Sequence, residues 1–239
     1  MRLDTFLSNK GMASSRSRAA NLVELGRVTV NDKVVTKSSY EVKETDVVNI
    51  TEDYDASLGG MKLSKALDDF GITVKDKICL DVGASNGGFT DILLKYGAKL
   101  VYALDVGECA LPDYLKDNKS VVVMDRTNAR FLNEDTFDIK PDFAVIDVSF
   151  ISLTLILASV ASAMTKNYEM VALIKPQFEC SKKDLSKKGI LIDAKKREKA
   201  VNKVIDYAKG LGLSINGITE APHPFKDKNQ EYLLYLKKS

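Results

Sequence analysis

The chain has 239 residues, 45% hydrophobic and 28% charged, with three cysteines, one histidine and a formal net charge of +2. This mix excludes a disordered, collagen-like or disulfide-rich chain, and the lone His223 excludes a His-rich metal site. The charge is uneven: residues 1–40 hold seven Lys/Arg against three Asp/Glu, residues 175–239 hold fifteen against eight, and the stretch between them is acidic. A basic head and tail around an acidic centre suit a polyanionic partner gripped at the ends. Cys79, Cys109 and Cys180 are odd in number and widely spaced, so neither a disulfide framework nor a CxxC zinc site is indicated. The opening MRLDTFLSNK has no apolar signal core, which with the cysteine usage predicts a reducing, cytoplasmic setting.

Residues 1–50 read as a small module. Leu3, Phe6 and Leu7 form one helical stripe. Ser15 can cap a second helix that turns Ala19, Leu22, Val23 and Leu25 inward and stops at Gly26. VTVNDKVV then alternates apolar and polar residues around Asn31-Asp32, which predicts a hairpin. Arg2, Lys10, Arg16, Arg18, Arg27 and Lys33 decorate this frame. Taken alone they are either a solvated basic surface or an RNA contact. The order SR-x-x-A-x-x-LV-x-x-G-x-V-x-VN, from Ser15 to Asn31, resembles the S-four-type RNA-binding domain of small-subunit ribosomal proteins, and that resemblance implies RNA binding by these six residues. Residues 51–60, TEDYDASLGG, are acidic and then small, and predict a linker.

Residues 61–239 alternate strand-like and helix-like segments. Strands are predicted at 78–83, 100–107, 120–125, 143–150, 170–176, 213–219 and 231–237, and helices near 62–70, 87–97, 152–165 and 194–211. Apolar, β-branched strands separated by helices argue an α/β fold with a parallel sheet covered on both faces. Val148–Thr165 is uncharged over eighteen residues, which approaches a bilayer-spanning length. Its six Ser/Thr residues and helical spacing of Leu153, Ile156, Leu157, Val160 and Met164 favour a buried helix instead.

The segment DVGASNGGFT, Asp81–Thr90, follows an apolar strand and precedes a helix. Gly83 permits a sharp turn, and Gly87 and Gly88 permit close approach of a ligand to the helix start. The spacing is neither G-x-G-x-x-G nor a P-loop. A carboxylate before the first glycine, Asp81, suits a cationic ligand, and S-adenosylmethionine carries an ammonium and a sulfonium. The predicted cofactor residues are Asp81, Gly83, Ala84, Ser85, Gly87, Gly88 and Phe89. Asp105 and Asp125 close the next two strands, where they can meet ribose hydroxyls and adenine respectively. A plain tight turn is the competing reading of this loop. Asp147 and Lys175 end two further strands in the same crevice, Lys62 precedes the first sheet strand and Glu231 opens the last.

Lys62, Asp147, Lys175 and Glu231, in this chain order, resemble the Lys-Asp-Lys-Glu tetrad of FtsJ-like ribose methyltransferases. The phrases LDVGASNGGFTDILL, DRTNAR, DVSFISL, LIKPQFE and NQEYLLYL, with the N-terminal module, are similar to the TlyA-type family of ribosomal RNA 2′-O-methyltransferases, also named haemolysins. The resemblance covers essentially the whole chain. It implies a Rossmann-like methyltransferase domain over 61–239, S-adenosyl-L-methionine as cofactor and ribosomal RNA or a ribosomal subunit as partner. It also implies the four residues as the catalytic set, with Lys175 as base or hydroxyl-orienting group. Three departures stand out. ASLGGMK replaces a Ser-Arg-Gly-x-x-Lys pattern before Lys62, Lys65 is a rival for the Lys62 role, and SKKDLSKKG (181–189) replaces a Gly-rich loop. Competing readings are a non-enzymatic RNA-binding or assembly factor on the same fold, a membrane-active haemolysin and a dinucleotide-dependent oxidoreductase.

Overall fold

The computed structural model describes residues 1–13, 15–24, 26–50, 58–222 and 228–238. His223 and Leu25 lie outside them, as does the side chain of Arg18. The chain divides into two compact units, Met1–Asp55 and Ala56–Ser239.

Among its described residues the first unit has two helices, α1 (Leu3–Asn9) and α2 (Arg16–Glu24), and three short strands, β1 (Val28–Val30), β2 (Lys33–Val34) and β3 (Val48–Ile50). The antiparallel sheet has the order β2-β1-β3. The predicted hairpin is present: Asn31 and Asp32 both hold left-handed backbone, φ 51° and 62°, the geometry of a tight two-residue turn. Leu3, Leu7, Ala19, Leu22, Val23, Val28 and Val30 form its core. β3 was not foreseen, because VNI follows a charged stretch without an alternating run.

The second unit contains α3 (Leu58–Phe70), β4 (Ile78–Val82), α4 (Gly88–Lys95), β5 (Leu100–Leu104), α5 (Asp113–Lys116), β6 (Val121–Met124), β7 (Phe143–Ile146), α6 (Leu157–Ala163), β8 (Tyr168–Ile174), α7 (Pro176–Glu179), α8 (Ala194–Gly210), β9 (Ser214–Glu220) and β10 (Tyr232–Lys238). All seven predicted strands form one sheet of order β6-β5-β4-β7-β8-β10-β9. α3 begins at Leu58, so the last residues of the predicted linker are helical. The predicted helix over 152–165 is broken into a 3-10 turn, Leu153–Leu155, and the seven-residue α6. No helix among the described residues is long and apolar enough to cross a membrane.

The sheet departs from the all-parallel expectation at one strand. β10 runs antiparallel to both β8 and β9. Only residues 221–231 join β9 to β10, and a parallel return needs a longer, usually helical crossover. Both faces are covered, as the apolar strands demand. Along β4, Leu80 and Val82 face a layer with Leu157, Val160, Val201 and Val204 of α6 and α8. Cys79 faces Leu63, Leu67, Ile92 and Leu93 of α3 and α4. The start of α8 is fixed locally, where Asp193 accepts from the backbone N–H groups of Lys195 and Lys196 at 2.9 and 3.1 Å, a side-chain N-cap.

Candidate active site

The turn after β4 is built around Gly83. Its φ is +88°, and a Cβ there would lie 2.3 Å from the Asp147 carbonyl oxygen. Only glycine meets both conditions, and its bareness lets the end of β7 lie directly against the turn. Gly83 and Ala84 donate their N–H groups to the Leu104 carbonyl at 2.8 and 3.0 Å. Ser85 N–H donates to Asp105 Oδ2 at 3.0 Å and Gly107 N–H to Asp105 Oδ1 at 2.9 Å. Asp105 is thus tied to the turn with further acceptor capacity on each oxygen. A cavity of about 430 Å³ opens here, lined among others by Gly83, Ser85, Asp105, Thr127, Asn128 and Asp147. Its size lies within the range of small-molecule pockets, about 300–1,000 Å³.

The other predicted cofactor residues divide. Asp81 is fully buried; its Oδ2 accepts from the Thr90 hydroxyl at 2.7 Å, and its Oδ1 has no hydrogen-bond partner among the described residues. Burial pushes its carboxyl up to about 7; the Thr90 bond opposes this, and the charges of Asp147 and Asp105 add to it. A buried carboxylate oxygen without a donor is costly unless a cationic or donor group completes it, which fits an ammonium-bearing cofactor. Gly87 has a packing reason of its own: its absent Cβ would fall 2.6 Å from Leu115 Cδ1, so α5 requires that glycine. Ala84 packs with Leu111 and Leu115. Gly88 is buried at the start of α4, and Phe89 packs among α3 and α4 residues. Neither these four nor Asp81 lines the cavity.

Asp125 is a correction. It is exposed, and its Oδ1 accepts from Cys109 N–H at 2.6 Å. β6 ends one residue earlier, and Arg126 has a left-handed φ of 51°. The chain therefore turns, and Thr127 and Asn128 reach the cavity instead. The phrase DRTNAR was the available signal for them.

The tetrad assembles as two ion pairs. Lys175 Nζ lies 2.6 Å from Asp147 Oδ1 and donates to Ser149 Oγ at 3.0 Å. Lys62 Nζ, on α3, lies 2.6 Å from Glu231 Oε2. The β8–β10 register pairs Tyr232 with Ile174, so the next residues outward, Glu231 and Lys175, stand opposite each other. The Lys175 and Asp147 side chains are 11% and 20% exposed, shielded yet reachable. Lys65 does not compete with Lys62, because it pairs with Asp69 one helical turn on, at 2.6 Å.

Two supporting residues were not foreseen. Gln177 Nε2 donates to Glu231 Oε1 at 3.3 Å. The buried Glu179 accepts from Ser152 Oγ at 2.5 Å and Leu153 N–H at 2.7 Å, and pairs with Lys203 of α8 at 3.3 Å. Both belong to the quoted PQFE phrase, where polar residues in a short apolar turn were the only hint. Between these anchors Phe150 adopts φ +65° and is 91% exposed, its ring 5.1 Å from that of Phe178.

In the first unit, Arg2 and Arg16 converge on Asp4 at 2.8 and 3.2 Å. Lys10 lies 6.0 Å over the Phe6 ring, Lys33 is exposed in β2, and Arg27 is half-buried.

Comparison with known proteins finds relatives for both units. A family model described as FtsJ-like methyltransferase matches residues 56–238, and one described as S4 domain matches residues 1–48. Hemolysin A of Brachyspira hyodysenteriae is 42% identical over 238 residues, covering 99% of each chain. The 16S/23S rRNA (cytidine-2′-O)-methyltransferase TlyA of Mycobacterium tuberculosis is 37% identical over 239 residues, covering 99% of this chain and 89% of that protein. The solved structure of a hemolysin-named protein of Streptococcus thermophilus is 36% identical and superposes with a TM-score of 0.78, covering 100% of this chain and 88% of that one.

Proposed function

The chain belongs to the FtsJ-like methyltransferase family, and from that premise we propose that it methylates ribose 2′-hydroxyls of ribosomal RNA with S-adenosylmethionine. The observation that carries the reading is the Asp147–Lys175 pair at 2.6 Å, beside a cavity bounded by the Gly83 turn. When bound, S-adenosylmethionine supplies an electrophilic methyl group on a sulfonium. Gly83, Ser85 and Asp105 would hold it along the cavity, with the fully buried Asp81 behind the turn adding negative potential for its positive end.

The work of the remaining residues follows from the chemistry. A ribose hydroxyl is a weak nucleophile that must be placed about 3 Å from the methyl carbon, in line with the departing sulfur. Lys175 holds that oxygen, as base or as the donor that fixes its lone pairs, and Asp147 sets the direction of the amine. Lys62 and Glu231, braced by Gln177, hold the ribose from the other side. The basic residues of the first unit supply affinity and register through phosphates rather than sequence choice. A cytoplasmic location belongs to the same proposal.

The test maps 2′-O-methyl groups on ribosomal RNA from cells with the wild-type protein, with Lys175→Ala and without the protein. The expected result is one or more marks present only with wild type. Marks that persist with Lys175→Ala overturn the assignment of Lys175. The absence of any protein-dependent mark favours the RNA-binding assembly factor.

A further inference from the structure

A buried carboxylate is out of place by charge alone on a surface proposed to meet a polyanion. Asp4, in the first turn of α1, is such a group, only 3% exposed. Its Oδ1 accepts from Arg2 Nε at 3.1 Å and its Oδ2 from Arg2 Nη2 at 2.8 Å. Oδ2 also accepts from Arg16 Nε at 3.2 Å. Thr5 adds its N–H at 2.8 Å and its hydroxyl at 3.2 Å to Oδ1. One carboxylate therefore joins the residue before α1 to the first residue of α2. The arginines themselves stay in solvent, with side chains 44% and 60% exposed. Their bonds to Asp4 use the Nε edge, so Nη1 of Arg2 and both Nη groups of Arg16 keep their protons for another acceptor.

We propose that Asp4 is a positioning residue of a phosphate clamp: it holds Arg2 and Arg16 side by side, oriented for an RNA backbone phosphate before the RNA arrives. The proposal rests on reading the basic first unit as a ribosomal RNA contact. An unrestrained surface arginine loses rotamer freedom when it binds, whereas one already held by a carboxylate lost that freedom on folding. The planar guanidinium fork suits the role, because one edge can be anchored while the other meets phosphate. The Arg2 bonds hold the Asp4 carboxyl far below the usual carboxylate range; burial opposes this, and the bonds from Arg16 and Thr5 add to it. The anchor therefore stays charged throughout the physiological range.

The test is filter binding of the full chain to deproteinised total ribosomal RNA at several salt concentrations. Wild type is compared with Asp4→Asn, with Arg2→Gln/Arg16→Gln and with the triple variant. Charge alone makes Asp4→Asn a gain of one positive charge and hence a tighter binder. The clamp requires the reverse: binding weaker by about three- to tenfold, a shallower salt dependence, and no further loss when Asp4→Asn is added to the glutamine pair. Asp4→Asn binding as well as or better than wild type, or an additive loss in the triple variant, overturns the clamp. A glutamine pair that binds like wild type overturns the reading of these arginines as RNA contacts, and the clamp with it. If Asp4→Asn does not fold, the arginine Nε–Hε resonances of the wild-type protein decide. Two slowly exchanging Hε protons support the clamp, and exchange at the rate of free arginine for both overturns it.

Discussion

The two ends of the large sheet carry the same chemistry and do different work. At the end where β7 and β8 finish, Asp147 pairs with Lys175 and Glu231 with Lys62. At the opposite end, where β8 begins, Glu169 accepts from Lys77, from Lys237 at 2.9 Å and from Tyr235 at 2.8 Å. Both ends have a cavity of similar size, about 430 Å³ and about 460 Å³. Neither a lysine–carboxylate pair nor a hollow therefore identifies the site. At Glu169 one carboxylate is shared by two lysines and a phenol, while Asp142 Oδ1 beside it has no hydrogen-bond partner among the described residues. At the crevice a glycine turn, closed against the Asp147 carbonyl, and Asp105, held by two backbone N–H groups, stand beside the two ion pairs. That end is also the carboxyl end of the parallel strands, where open α/β sheets receive ligands.

The contrast breaks most sharply on turnover. Lys175→Ala is expected to lower methyl transfer from labelled S-adenosylmethionine to ribosomal RNA by about 10²- to 10⁴-fold, while Lys77→Ala leaves it near wild type. Equal losses from both variants would erase the distinction between the ends. Next in size is the turn itself. Gly83→Ala meets the Asp147 carbonyl and a positive φ together, and should cost roughly 3 kcal/mol by urea denaturation. Gly189→Ala has a similar φ of +74° but open space around it, and should cost only about 1 kcal/mol.

Glu169→Gln tests the opposite end. Burial pushes the Glu169 carboxyl up, yet the bonds from Lys77, Lys237 and Tyr235 outweigh it and bring it down to about 2 from 4.5. A carboxylate with a depressed folded value stabilises fully above its unfolded value and loses that contribution as pH falls towards the folded one. Wild type should therefore lose stability between about pH 4.5 and pH 2 through this group. Glu169→Gln should lack that part of the slope, lie about 1–2 kcal/mol below wild type at pH 7 and retain methyl transfer. The pH dependence of Asp81 has the opposite sign. Asp81 is raised to about 7 from 3.8, so the folded chain binds its proton more tightly than the unfolded chain does. Stability of the cofactor-free protein should fall as pH rises from about 4 to 7, by at most about 1.4 kcal/mol per pH unit. Asp81→Asn should remove that slope in urea melts taken across the range. An unchanged slope would show that the oxygen already has a donor in solution.

Much of the fold was legible because its signals are local. Seven apolar runs marked seven strands, and Asn31-Asp32 marked the hairpin, since two left-handed residues are what such a turn needs. The candidate site was legible in part. The four tetrad residues form the pairs Asp147–Lys175 and Lys62–Glu231, whereas Asp125 lies outside the cavity lining, where a left-handed Arg126 redirects the chain just beyond β6. Gln177 and Glu179 escaped notice because a four-residue helix in an apolar turn has no periodicity to read.

Residue type, spacing and chain order were enough to establish the element sequence, the need for a glycine at the first turn and the stock of lysines and carboxylates at strand ends. Which lysine meets which carboxylate was decided by tertiary structure: Lys62 reaches Glu231 across 169 positions because strand order and register bring the start of β10 beside the crevice. The same is true of the glycines, where Gly83 faces Asp147 and Gly87 faces Leu115. Periodicity reports only which side of an element is apolar; the neighbour on that side is set by packing between segments far apart in the chain.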